Sequence, residues 1–408
     1  VKIRSITYFL EPGNPLDEAR IADAGRFLAQ AATIFRDGGL EVETTRLALP
    51  PFEKTFNAET INNAVQFAQT LEAECFVQSI DAASLGVARP SDPERFYDII
   101  PDVIGATETI FAAAIIASPL SGINLQAIQR TARIINRCST LALDGSGNLR
   151  FAALANVEPG SALFPAAYHE GGVPAFAIAT EAADLAVTAF TGSTSLLEAH
   201  TRLVTSLESQ AKTITQLARK ASGRRGVKFN GIDFSLAPFP NAENSIGAAL
   251  EALGLPAVGG SGTVAAAAFL TDAIHKANFI HTGFSGLLLP ILEDTVLAQR
   301  AAEGLLTLND LLLYSTVCGT GLDTVPLPGA TSAAELAAIL LDVAALALRQ
   351  HKPLTARLLP IPDKQAGDEV GFDSSYFVKG RVLATQPKTR PLSGALGGDE
   401  AFDIARLR

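Results

Sequence analysis

Methionine and tryptophan are absent from this 408-residue chain, and cysteine occurs three times, at Cys75, Cys138 and Cys318. The missing methionine excludes an adaptable, methionine-rich binding surface. The cysteines lie far apart with no C-x-x-C spacing, which excludes a zinc knuckle and a disulfide framework and points to a reducing, cytoplasmic setting. Positive charge is the scarcer sign: 32 Lys and Arg against 42 Asp and Glu leave a formal net charge of -10. Such a surface does not neutralise a phosphate backbone or an anionic leaflet, so neither nucleic acid nor membrane is an expected partner. Long apolar runs are missing too. Residues 103–117 are interrupted by Glu108 and residues 333–348 by Glu335 and Asp342, so neither supplies the roughly 20 continuous apolar residues that span a bilayer. The first residues alternate like a strand and lack the apolar block and small-residue cleavage site of a secretory signal.

What is present is a chain with 48% hydrophobic side chains, enough for a large core. An opening strand ends at Glu11-Pro12-Gly13-Asn14-Pro15, where Asn14 can cap a helix and Pro15 can occupy its first turn. Ile21, Ala24, Phe27, Leu28, Ala31 and Ala32 recur at helical spacing, and Gly38-Gly39 stops that helix before a strand over 40–47. This predicts a β-α-β opening. Next come a helix over 58–72, a short strand over 75–80, and a helix started by Asp92 and Pro93 that runs to residue 117 with a possible break at Pro101. The turn cluster Asp144-Gly145-Ser146-Gly147-Asn148 separates two β-rich runs, 139–143 and 150–157, as in a hairpin or short crossing loop.

The longest helix is expected over 195–222, opened by a Ser195-x-x-Glu198 capping box, with Leu196, Leu203, Leu207, Ile214 and Leu217 along one stripe. Residues 222–226 are the best boundary but are short and not linker-like, so residues 1–408 read as one integrated domain in two halves, 1–225 and 226–408. Arg224 and Arg225, with Lys228, form the main basic cluster and read as a solvent-facing helix end. In the second half the pattern predicts a strand over 227–236, a helix over 244–253, a short strand over 255–258, a glycine turn, an alanine-rich helix over 263–277, and strand, turn and strand over 279–291. Thr307-x-x-Asp310 and Ser332-x-x-Glu335 start two further helices. The small side chains of the alanine-rich helix suit close packing in a larger assembly or under a sheet, and a homo-oligomer is expected.

Four motifs carry a family resemblance: Gly231-Ile232-Asp233-Phe234-Ser235-Leu236-Ala237-Pro238, Gly262-Thr263-Val264-Ala265-Ala266, Ser285-Gly286-Leu287-Leu288-Leu289-Pro290-Ile291-Leu292-Glu293-Asp294, and Cys318-Gly319-Thr320-Gly321-Leu322-Asp323-Thr324-Val325-Pro326-Leu327-Pro328-Gly329. With Thr44-Thr45-Arg46-Leu47 and Phe164-Pro165-Ala166-Ala167-Tyr168-His169, the chain resembles the prokaryotic domain-of-unknown-function family seven hundred and eleven over most of its length. The resemblance implies an α/β barrel of about ten strands, built from two half-barrels and similar to the pyruvate formate-lyase group of glycyl radical enzymes. It does not imply their chemistry. Those enzymes carry the radical glycine after an Arg-Val pair, whereas here Gly380 precedes Arg381-Val382, so no glycyl radical is expected. The family has no agreed catalytic residues to carry over.

Candidate chemistry therefore rests on local signals. Asp233 interrupts an otherwise apolar strand, so its carboxylate must find a donor, a cation or water. His169, in a turn beside Glu170, could be a general base or a surface residue. Cys318, in a glycine-flanked turn, could be a nucleophile or a small buried hydrophobe. Ser261, Gly262 and Thr263, at the start of a helix, could hold a small anion through free N–H groups, or form a plain turn. A nucleotide is disfavoured, because the acidic residue wanted about 20 positions on is absent: residues 278–281 stand there. Glu293, Asp294 and Asp323 could hold a divalent cation such as Mg²⁺, although capping and salt bridges suit Glu293 and Asp294 well. Two functions follow: an enzyme acting on a small anionic metabolite in a barrel pocket, or a noncatalytic ligand-binding or self-assembling protein that kept the scaffold without the radical machinery.

Overall fold

The predicted β-α-β opening forms, and for the reason the pattern suggests. A computed structural model describes residues 1–223, 226–385 and 392–405; Arg224 and Arg225 of the expected basic cluster lie outside them. Strand β1 (Lys2–Phe9) leads into the helix Glu18–Asp37, whose Ile21, Ala24, Phe27, Leu28, Ala31 and Ala32 are all buried, and then into β2 (Val42–Ala48). The helix is capped by the Asp17 carboxylate, which accepts from the N–H groups of Ala19 and Arg20, and not by Asn14.

Seven further strands extend the sheet: β3 (Ala82–Ala88), β4 (Ile110–Ser118), β5 (Phe151–Ala155), β6 (Ala175–Glu181), β7 (Lys228–Ala237), β8 (Gly321–Pro328) and β9 (Leu354–Ile361). Their spatial order is β7-β6-β1-β2-β3-β4-β5-β9-β8, and the short strands Gly122–Asn124 and Ala401–Phe402 beside β4 make eleven. Strands β1 to β5 are parallel, while the outer pairs β6/β7 and β8/β9 run the other way. The molecule is thus mixed α/β with one large sheet. Among the described residues no strand pairing joins β7 to β8, so hydrogen bonding does not close the sheet into a barrel. Single bridges, Ile232 to His281 and Pro290 to Asp323, attach the intervening segment to either edge.

Both faces of the sheet are covered, which is why its central strands read as continuous apolar runs. On one face Ile3, Ile6, Leu47, Ile110 and Phe151 pack against the helices in a single large core. On the other, Phe9, Ala48, Ala113, Ile115, Ala152, Leu154, Ala177 and Ala179 enclose residues 157–168. Each large apolar side chain there, such as Phe9 or Leu154, contributes about 1.5–3 kcal/mol by burial. The alanines leave space for that segment. It is fastened by Thr7 Oγ1 donating to the Ala162 carbonyl (2.9 Å), Gly160 N–H to the Tyr168 carbonyl (2.9 Å), and His169 N–H to the Leu49 carbonyl just beyond β2 (3.0 Å). The carboxyl ends of the parallel strands are therefore plugged from within, and the open space lies at their amino ends.

Several expected elements differ. Cys75 lies within the helix Ala64–Val77, and the strand begins only at Ala82. Residues 103–117 do not continue one helix: the short helices Glu94–Asp98 and Ile100–Gly105 end where the Glu72 carboxylate takes the N–H groups of Glu108 and Thr109 (2.8 and 2.6 Å), and β4 follows. Residues 139–143 are turn, because the helix Leu125–Cys138 carries the chain from β4 to the parallel strand β5 by a crossover and not by a hairpin. Neither 255–258 nor 279–291 makes a ladder strand. A short apolar run is compatible with helix, strand or buried loop until its neighbours are known. The two capping boxes, at Thr307/Asp310 and Ser332/Glu335, form as expected. Gly380–Arg381 pairs with Glu369–Val370 in a two-stranded hairpin. None of the described helices is long and apolar enough to cross a membrane.

Candidate functional site

The residues singled out for catalysis do not converge. Asp233 is buried on β7, where it accepts from the N–H groups of Phe284 (2.8 Å) and Ser285 (3.0 Å) and from the Ser235 hydroxyl. Burial pushes its carboxyl up to about 6, and those donors pull the other way. A Cβ at Gly283, which has φ +62°, would sit 2.1 Å from Asp233 Oδ2. The carboxylate thus staples the chain at 283–285 to the sheet edge. His169 is buried at the far, carboxyl ends of β1 and β2, its ring centroid 6.2 Å from that of Phe9; burial lowers its pKa, and its Nε2 has no hydrogen-bond partner among the described residues. Cys318 is buried beyond the helix Leu308–Tyr314, with its carbonyl accepting from Lys352. Burial raises the Cys75 and Cys138 thiols to about 12, which leaves them inert.

The glycine turn is internally satisfied. Thr263 Oγ1 donates to the Gly260 carbonyl (2.8 Å) and accepts from Gly259 N–H (3.2 Å), while Thr263 N–H bonds the Gly260 carbonyl (3.2 Å). A Cβ at Gly259 would meet the Leu305 carbonyl oxygen at 2.0 Å, so this glycine serves close backbone approach. Ser261 and Gly262 complete the turn, and beside it stands the Tyr314 phenol, within hydrogen-bond reach of Thr263 and not a cation that would hold an anion.

The three carboxylates considered for a cation separate into two sets. Asp294 caps the helix Thr295–Ala302 and accepts from Ser245 Oγ (2.7 Å) and Ile246 N–H (2.6 Å), which ties two helix starts together. Glu293 and Asp323 face the other way and meet across Arg357: Arg357 Nη2 donates to Glu293 Oε1 (2.6 Å), and its Nε and Nη2 grip Asp323 at 2.7 and 3.1 Å. Arg4 Nη2 donates to Glu293 Oε2 at 2.6 Å. Burial disfavours a charge on Glu293, yet Arg4 and Arg357 outweigh it and hold the carboxyl below its ordinary range. These carboxylates are neutralised by guanidinium groups, and among the described residues no cluster of three or more His, Cys, Asp or Glu could hold a metal ion.

That ion-pair chain forms the floor of the main polar cavity, about 710 Å³ in volume, at the amino ends of the parallel strands. Arg4 on β1, Thr44 and Arg46 on β2, Asp81 and Ala82 at the start of β3, Phe111 on β4 and Arg150 just before β5 line it. Phe164 reaches it from the inserted segment, and Ser374, Tyr376 and Phe377 cover it from the hairpin that ends at Arg381. A side cavity of about 30 Å³ continues past Arg4 and Arg357 to Thr320, Asp323 and Thr355.

The electrostatics of this cavity are uneven. Arg4 and Arg357 are paired as above, and Arg150 is held by the Ile104 and Ile110 carbonyls and Thr107 Oγ1 (2.7, 3.2 and 3.3 Å). Arg46 differs. Its Nε donates to Thr44 Oγ1 (2.9 Å), its guanidinium lies 5.0 Å from the centroid of the Phe164 ring, and no carboxylate forms an ion pair with it among the described residues. Burial, with Arg4 nearby, lowers its pKa to about 10, so it stays cationic at neutral pH. Behind Arg4, the Glu181 carboxyl lies 3.5 Å from Arg4 Nη1 and within hydrogen-bond reach of Glu43. Burial pushes Glu181 up to about 8, with Arg4 opposing and Glu43 reinforcing. Among the described residues neither Glu181 oxygen has a hydrogen-bond donor, so burial beside a second carboxyl favours the protonated form of Glu181.

Of the residues expected from sequence, only Glu293 lines the larger cavity and Asp323 the smaller. Arg4, Arg46, Arg150, Arg357, Glu43, Glu181 and Tyr376 were missed. The signal existed: Arg357 interrupts an apolar strand as plainly as Asp233 does. A separate groove of about 360 Å³ between the helices Leu125–Cys138 and Ala333–Gln350 offers mostly leucine and alanine, and its one ionic group among the described residues, Arg133, pairs with Glu94.

Comparison with known proteins places the chain. The model of the family described as Uncharacterised ACR (DUF711) matches residues 1–375. A UPF0210 protein of Pyrobaculum aerophilum is 35% identical over 387 residues, covering 91% of this chain and 84% of its own length. One from Pyrobaculum arsenaticum is 34% identical over 369 residues (84% and 78%), and one from Oenococcus oeni 28% over 362 residues (86% and 80%). None of these names states an activity. By the family match and by relatives alike over most of their length, the chain belongs to the uncharacterised DUF711 family.

Proposed function

We propose that the protein is an enzyme that takes a small anionic metabolite in the cavity at the amino ends of β1 to β5, with Arg46 as the anion's counter-ion. The observation that carries this reading is Arg46 itself: a cation lining the cavity and resting on Phe164, with no carboxylate partner among the described residues. A half-buried guanidinium in a partly desolvated cavity gains from a ligand carboxylate or phosphate. Catalysis as opposed to mere binding is supported by titratable groups beside it: the Tyr376 phenol on the wall and, behind Arg4, the Glu181 carboxyl that burial pushes up to about 8. Asp233 and His169 enter as supports of the enclosing chain, and Cys318 as a packed side chain. The enclosure is read as barrel-like and similar to the pyruvate formate-lyase group, a reading supported by the bridges at His281 and Pro290 that draw one segment along both sheet edges. A cytoplasmic setting is supported by three cysteines, all free and buried.

The test is a ligand screen by thermal shift and calorimetry with small carboxylates and phosphates. Saturable stabilisation of the native protein is expected, with affinity falling at least tenfold in Arg46→Lys and below detection in Arg46→Ala. Equal binding by Arg46→Ala would refute the assignment. The noncatalytic, self-assembling alternative is favoured by one feature, Phe76 and Val77 exposed side by side at 86% and 67% at the end of their helix. Sedimentation of Phe76→Ser beside the native protein decides it: this reading requires an assembly that the substitution dissolves.

A further inference from the structure

We propose that the anion held by Arg46 is the single carboxylate of an acid with an aromatic, ring-sized body. This rests on the reading that the cavity binds a small anion, and deepens it to a chemical class. The first argument is charge. Among the described residues four guanidinium groups line the cavity, and three are already engaged: Arg4 and Arg357 by Glu293, Glu181 and Asp323, and Arg150 by two carbonyls and a hydroxyl. One remaining planar fork matches one planar carboxylate, which it can grip through two parallel N–H bonds. A phosphate dianion would require a second free cation or a cradle of N–H groups. The remaining ionic side chains on the cavity wall, Asp81 and Glu108, are acidic and repel it.

The second argument is shape. Phe164 lies beneath the Arg46 guanidinium, which fixes the plane of the fork, and is itself held edge-to-face by Phe111 at 5.1 Å. Phe111, Tyr376 and Phe377 line the same cavity and are only partly buried. Rings set around a cavity favour a flat π-faced body through offset and edge contacts beyond area burial. The volume of about 710 Å³ lies in the range of pockets that enclose drug-sized ligands, far beyond what acetate fills.

Isothermal titration of the full chain with benzoate, phenylacetate, acetate, inorganic phosphate and phenyl phosphate tests the class. Benzoate or phenylacetate should bind at least tenfold tighter than acetate and than either phosphate. Phe111→Leu and Phe111→Ala, each checked for an unchanged circular dichroism spectrum, should erase the preference for the aromatic acids over acetate while leaving acetate binding in place. Tighter binding of phosphate or phenyl phosphate would overturn the carboxylate class, and acetate binding as well as benzoate would overturn the aromatic body. Both outcomes leave the anion reading standing. Binding of none of the five, or equal binding of benzoate by native protein and Arg46→Gln, would overturn the class and the anion site together.

Discussion

At the scale of single residues, the site is organised by buried charges that neutralise one another, and the pair with incomplete neutralisation has a measurable signature. Glu181 keeps its proton up to about 8 in the folded protein, against an ordinary value of 4.5. The native state therefore binds one more proton than the unfolded chain between those values, and stability falls as pH rises through that window. Asp233 contributes in the same direction only between 3.8 and about 6. The lowered histidine His169 acts oppositely, below its ordinary 6.5. Between pH 7 and 8 Glu181 is expected to contribute a slope of at most about 1.4 kcal/mol per pH unit. Glu181→Gln should flatten that stretch of a melting-temperature profile and raise the melting temperature at pH 8; an unchanged slope would mean that the proton lies elsewhere. Arg357 offers the converse case. Arg357→Met strands Asp323 in the interior and leaves Glu293 with Arg4 alone, and urea unfolding should register a loss of roughly 3–5 kcal/mol at neutral pH. Sequence made Asp233 conspicuous because it stands alone in an apolar strand, but the same reasoning could not tell that its partners would be backbone N–H groups. It passed over Arg46 because a charged residue in Val42–Ala48, beside Glu43 and two threonines, looks like an ordinary polar strand face.

At the scale of elements, two of the four family motifs exist to touch each other. A Cβ at Gly286 would lie 2.4 Å from the Gly319 Cα, and one at Gly319 2.3 Å from the Gly286 Cα. The backbones are in contact, and Gly319 N–H donates to the Leu287 carbonyl (3.1 Å) while Thr320 Oγ1 donates to the same oxygen (3.2 Å). Neither glycine has a positive φ, so the requirement is steric and not conformational. Gly286→Ala or Gly319→Ala should each force the segments apart, at a cost of about 1–3 kcal/mol or more in chemical denaturation. Gly367→Ala, where φ is +89° and nothing lies within 4 Å of the added methyl, provides a contrast in which any cost is that of backbone strain alone. Helix starts were legible from sequence because a cap is a four-residue event: Ser195, Thr307 and Ser332 each accept from the N–H three residues on. The apolar runs at 75–80, 103–117, 139–143 and 279–291 were not, since their conformation depends on which neighbours cover them.

For the molecule as a whole, the expected halves 1–225 and 226–408 are interleaved in one sheet: β7 pairs with β6 across the boundary, and β9 pairs with β5. Calorimetry should therefore give one cooperative transition, and chain cleaved at 223–226 should stay associated until that transition; two separated transitions would contradict a single cooperative unit. The inserted segment explains why the cavity opens where it does, because residues 157–168 fill the inner face near the carboxyl ends and leave the amino ends to Arg46, Phe111 and the hairpin cover. By itself the sequence determined what acts over short range: the acidic surface, the β-α-β opening, the helix stripes and caps, and glycines wherever backbones must turn or approach. Only the tertiary structure decided which charges meet. Arg4 and Glu293 are 289 residues apart and Arg357 and Glu293 are 64 apart, and no local pattern encodes such a partner. Local propensities are set by neighbours within about a turn of chain, whereas an ion pair or a cavity wall is set by strand order and register, which fold the distant parts of the chain onto one another.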